Sequence, residues 1–129
     1  MKARLTLLLF LVLAVSCGRG VRKEDMIVGH WHLYSVKTNQ SISNQEQYKT
    51  AMNQLIRTTS IQFNEDKSFG GTIWGDTSFG YWLIQGDSLI VKDLSNKIEF
   101  GVLITEITNH KLILQEVADS VIEILSFER

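Results

Sequence analysis

Ile27-Val28-Gly29-His30-Trp31-His32-Leu33-Tyr34-Ser35-Val36 is the stretch that decides the fold. Side chains alternate across a strand, so Gly29, Trp31, Leu33 and Ser35 share one face, and His30, His32, Tyr34 and Val36 share the other. Trp31 needs a buried body and an acceptor for its indole N–H. Gly29, two residues earlier on the same face, leaves room for another group to approach the backbone. The stretch reads as the opening strand of a small β-barrel.

Outward from this strand, the N-terminal side carries a targeting pattern. Lys2 and Arg4 form a basic start, and residues 5–15 are apolar except for Thr6. A spanning helix needs about 20 apolar residues, so this run reads as a signal-peptide core over 1–16. It ends in Ala14-Val15-Ser16-Cys17. The sole cysteine, Cys17, leaves no internal disulfide. Its position resembles the lipobox of bacterial lipoproteins, in which the cysteine becomes the lipidated first residue. Acyl chains contribute about 0.8 kcal/mol per buried CH₂, so several chains on Cys17 would hold the protein to a membrane. Residues 17–25 then read as the lipidated cysteine and a short polar tether, and 26–129 as one domain.

Composition narrows the classes. The chain has 129 residues, no proline and 44% hydrophobic residues, which fits one folded domain. Removing Lys2 and Arg4 with the signal leaves 11 basic against 14 acidic residues. That balance supplies no electrostatic reason to bind nucleic acid.

Beyond the first strand, Ser43 and Glu46 match a capping box that opens a helix over 44–57. Tyr48, Met52, Leu55 and Ile56 form its apolar stripe, which is expected to cover a barrel end or one side of the sheet. From Thr58 onward, short alternating segments are separated by turns at 65–67, 75–77, 85–87, 93–96, 109–110 and 118–119. With the first strand they make eight. Successive hairpins form an antiparallel meander, and eight strands close into a barrel without exposed edges. The expected fold class is all-β, an eight-stranded closed meander with one inserted helix.

The lipobox-like Cys17, the Gly29-His30-Trp31 strand, the helical insertion and the meander together resemble the lipocalin-like domain of bacterial lipoproteins. Ile61-Gln62-Phe63 before its turn, and Tyr81-Trp82-Leu83-Ile84 before Gly86-Asp87, add to the likeness. In lipocalins the tryptophan of Gly-x-Trp sits at the closed barrel end, and a late basic residue stacks across it. The resemblance therefore implies that Gly29, Trp31 and Arg129 form the barrel end. Read alone, Arg129 is a free terminal charge. The resemblance also implies a cell-envelope location, lipid-anchored to a bacterial membrane, the outer one favoured. Gly18-Arg19-Gly20 after the cysteine lacks the acidic residues of some surface-exposed lipoproteins, which favours the periplasmic face.

Alternation expects Phe63, Phe69, Tyr81, Leu83, Leu89, Val91, Phe100 and Val102 to point inward, and Trp74, Trp82 and Ile84 outward. Trp31, Phe63, Phe69, Tyr81, Leu83 and Phe100 are then the candidate ligand-binding residues, with Thr72, Gln85 and Ser126 as polar contributors. A ligand pocket of this kind needs about 300 Å³ or more. Catalysis is not expected: no Gly-x-Ser-x-Gly or phosphate-binding glycine pattern is present, and Glu65, Asp66, Asp76 and Asp87 have turn-forming roles. His30 and His32 share a face but lack further ligands at metal spacing, so neither a metal nor another cofactor is expected. Two functions remain: binding a small apolar or amphipathic molecule, or service as a protein-interaction or inhibitor module in the envelope with a filled barrel.

Overall fold

The computed structural model describes residues 22–129. The expected signal segment 1–16 and Cys17 lie outside the described residues. The chain forms α1 (Lys23–Ile27), β1 (Gly29–Thr38), α2 (Gln45–Arg57), β2 (Ser60–Phe63), β3 (Ser68–Ile73), β4 (Asp76–Gln85), β5 (Ser88–Asp93), β6 (Ile98–Ile107), β7 (Lys111–Ala118) and β8 (Val121–Glu128). The strands pair in sequence order as an antiparallel meander, and β1 pairs with β8 to close the barrel. Closure gives every strand two partners, so no long edge is left to pair with another chain. The all-β fold class, with a helix after the first strand, is the architecture observed.

Alternation supplies the core. Trp31 and Leu33 from β1, Phe63 and Phe69 from β2 and β3, Leu89 and Val91 from β5, Val102 and Ile104 from β6, Leu112 and Leu114 from β7, and Phe127 from β8 are all buried in one cluster. A bulge against β8 between Leu33 and Ser35 shifts the phase of β1. Val36, expected on the face opposite Leu33, packs against the core, while Ser35 yields its place.

Three local expectations are corrected. The segment expected as tether includes α1, whose last residue Ile27 is fully buried, so β1 begins at Gly29. The cap of α2 is Asn44, not Ser43; its side chain accepts from the Gln47 amide at 3.0 Å. The phase of β4 is the reverse of the one expected. Trp82 is 2% exposed, whereas Tyr81 and Leu83 are 54% and 43% exposed on the outer face. Ile84 also packs against the core.

Two requirements set that phase. The Trp82 indole N–H donates to the carbonyls of Ser68 and Asn64, at 3.0 and 3.2 Å, inside the barrel. Inward Gly80 passes so close to β5 that a Cβ would lie 1.9 Å from the Lys92 carbonyl oxygen. A one-residue slip would expose the indole and drive a side chain into that contact.

Candidate ligand cavity

The closed end of the barrel is built around two tryptophans. Trp31 is 0% exposed and donates its indole N–H to the Ile27 carbonyl at 2.7 Å, tying β1 to the end of α1. The Arg129 guanidinium lies 4.2 Å from the Trp31 ring centroid. Its nitrogens donate to the carbonyls of Val28 at 2.6 Å, Met26 at 2.8 Å and Asn109 at 2.8 Å. One side chain thereby satisfies carbonyls that a five-residue helix leaves open at its C-terminus. Gly29 has φ +136°, and a Cβ there would lie 2.5 Å from Arg129 Nη1. The room beside Gly29 is filled by the arginine.

Trp82 repeats the arrangement. Phe63 meets it edge-on at 5.7 Å between centroids, and Lys67 Nζ lies 4.3 Å from its ring. Gly80-Tyr81-Trp82 has the same spacing as Gly29-His30-Trp31, a sequence signal for the second buried indole. Lys23 of α1 pairs with Asp87 in the β4–β5 turn, which seats the helix at this end and holds the Asp87 carboxyl below its ordinary range.

Arg129→Ala removes three hydrogen bonds and the cation–π contact. The expected loss is about 1–2 kcal/mol, measured by chemical unfolding. Arg129→Lys, lacking the fork that reaches three carbonyls, is expected to recover less than half of it.

Above this end the barrel is hollow. A cavity of about 250 Å³ lies among Leu33, Ile61, Phe63, Phe69, Leu89, Val91, Phe100, Val102, Leu114 and Phe127. It opens toward the end where α2 and the β3–β4, β5–β6 and β7–β8 turns gather. Leu55 projects from α2 into its lining, while Met52 and Ile56 pack on the core. The helix therefore covers part of the barrel mouth. The volume falls below the 300 Å³ expected but exceeds the roughly 150 Å³ that suffices for a benzene-sized guest.

Of the candidate ligand-binding residues, Phe63, Phe69 and Phe100 line this cavity. Trp31 does not, because it is sealed beneath the cavity against Ile27 and Arg129. Tyr81 and Leu83 do not, because the phase of β4 turns them outward. Thr72, Gln85 and Ser126 are also absent from the lining, where the polar groups are Thr59, Ser78, Asp93, Glu116 and Glu123.

Trp74, expected outward, stands at the mouth. It has φ +56°, an outlying conformation for a bulky residue, followed by Gly75 at φ +80°. These two residues make the tight turn between β3 and β4. The Trp74 amide donates to Thr59 Oγ1 at 3.3 Å, and the Gly75 amide donates to the Thr58 carbonyl at 3.1 Å. The turn is thereby tied to the α2–β2 corner, with the indole at the cavity entrance.

Asp93 is the buried charge of the site, 4% exposed. Its carboxylate accepts from Ser78 Oγ at 2.8 Å, the Ser95 amide at 3.0 Å, the Asn96 amide at 3.1 Å and Asn96 Nδ2 at 2.9 Å, and from the Ser95 hydroxyl. Burial pushes the carboxyl upward, but the hydrogen bonds from Ser95, Asn96 and Ser78 together outweigh burial and hold it well below the ordinary carboxylate range. Five hydrogen bonds reach its two oxygens, so the carboxylate anchors the β5–β6 turn.

On the outer wall, the rings of His30 and His32 lie 4.4 Å apart, both exposed. Among the described residues, no group of three or more His, Cys, Asp or Glu is placed to hold a metal ion.

No family model, curated protein or solved structure matches the chain.

Proposed function

We propose that this chain is an envelope lipoprotein of lipocalin-like design whose barrel binds a small apolar or amphipathic molecule. The single observation that carries the proposal is the open cavity of about 250 Å³, apolar along its walls and polar only toward its mouth. Binding pockets have this composition: apolar surface supplies the driving force and a few polar groups orient the guest. The lipobox-like position of Cys17 supports attachment to a membrane, with the barrel held close to it by a short connection. The arrangement suits binding. Its buried carboxylate already accepts five hydrogen bonds, which suits a structural role.

The test is native mass spectrometry of residues 22–129 after incubation with a bacterial envelope lipid extract. A defined adduct of a few hundred daltons is expected, lost when Leu89→Trp fills the cavity. A clean apo mass across all extracts would overturn the proposal.

A second reading, a protein-interaction module, is favoured by the outer face of β4 and β6. Phe79, Tyr81, Leu83 and Leu103 are all exposed there.

A further inference from the structure

The cavity carries charge of one sign only. Its charged lining residues are Asp93, Glu116 and Glu123, and no Lys, Arg or His lines it. The Asp93 carboxylate is already held by its own five donors, as described above. The two glutamates are different. Glu116 on β7 and Glu123 on β8 are direct cross-strand partners. They follow inward Leu112 and Leu114 on β7, and precede inward Leu125 and Phe127 on β8, in the same alternation. Both therefore stand on the inner wall at the mouth.

Like charges directly opposite on neighbouring strands repel. Neither glutamate takes part in an ion pair among the described residues, where Arg22–Glu24 and Lys23–Asp87 are the pairs formed. A concave site with apolar walls and charge of one sign focuses its potential on whatever enters. Trp74 and Phe100 line the same cavity, and aromatic rings attract cations over their faces.

We infer that the guest is an organic cation: an apolar body that fills the cavity, bearing an ammonium group that sits between Glu116 and Glu123. The inference rests on the binding proposal above and adds the charge of the ligand to it. The cavity is the site, and the two glutamates select what enters head-last.

Three probes of equal length test it: octylammonium, octanol and octanoate. They are titrated calorimetrically into the full chain in phosphatidylcholine nanodiscs, with empty nanodiscs as the blank. Octylammonium is expected to bind about tenfold tighter than octanol, and octanoate more weakly than either. In the Glu116→Gln/Glu123→Gln double variant the preference for ammonium over alcohol is expected to shrink to about twofold or less. Both positions are solvent-exposed, so the variant keeps its core. Octanol binding without an ammonium preference overturns the charge inference and leaves the cavity proposal standing. A preference that survives in the double variant also overturns it. Failure of all three probes to bind overturns both.

Discussion

Trp31→Ala is expected to destabilise the barrel by about 3–5 kcal/mol, the range for deleting a large buried aromatic. Three losses coincide at this position. The ring fills the closed end at 0% exposure, so its removal leaves a void beneath the cavity. The Ile27 carbonyl loses the indole donor at 2.7 Å. Arg129 loses the ring it covers at 4.2 Å. Equilibrium unfolding in urea checks the magnitude. Trp31→Phe separates the terms, because it keeps most of the volume and removes the donor; it is expected to lose less than half as much. The same void would join the cavity to the closed end, so a guest bound by the native barrel is expected to be held less tightly by Trp31→Ala at a temperature where the variant is folded.

Asp93→Ala is expected to cost about 3 kcal/mol, in the range for breaking a buried charged network. The change strands Ser78, 3% exposed, and frees the Ser95 and Asn96 amides that hold the β5–β6 turn. The pH dependence has a definite sign. The folded carboxyl lies well below its ordinary value, so the unfolded chain takes up the proton first as pH falls. The stability that Asp93 contributes is complete above about pH 5 and declines as pH drops through about 4, where the unfolded carboxyl titrates. Thermal unfolding at pH 7 and pH 3 checks this. The gap between the native chain and Asp93→Asn is expected to narrow at the lower pH. A gap that is equal at both pH values would show that the carboxylate is not held as an anion by its five donors.

Much of the fold was legible because period and punctuation agreed. Gly29-His30-Trp31, the turns at 65–67 and 85–87, and the alternation through Leu89, Val91 and Val102 all point to the same closed meander. The phase of β4 was not legible. Phe79, Tyr81 and Leu83 on one face and Trp82 and Ile84 on the other are all apolar, so hydrophobicity does not choose between the faces. The choice comes from tertiary contacts: the acceptors for the Trp82 N–H and the passage of Gly80 past Lys92. Helix α1 is too short to show a period, and only Ile27 marks it as part of the core.

The cavity was half legible for a related reason. Phe63, Phe69 and Phe100 follow from alternation on strands whose polar faces are clear. The polar groups depend on partners distant in sequence. Asp93 reads as a turn former until Ser78 is brought to it across the β4–β5 ladder. Nothing in the sequence singles out Glu116 and Glu123; the β7–β8 register sets them opposite each other at the mouth. Trp31 reads as a pocket wall, but its own hydrogen bond and the guanidinium above it make it a plug.

Whether the barrel interior is a binding site decides the function of the fold. The most direct measurement is methyl-resolved NMR of the protein titrated with octylammonium. The predicted result is saturable shifts at the methyls of Leu89, Val91, Val102 and Leu114, all of which line the cavity, with Leu83 and Leu103 on the outer wall unmoved. Shifts confined to Leu83 and Leu103, with the cavity methyls unchanged at saturation, would contradict it and place the interaction on the outer face.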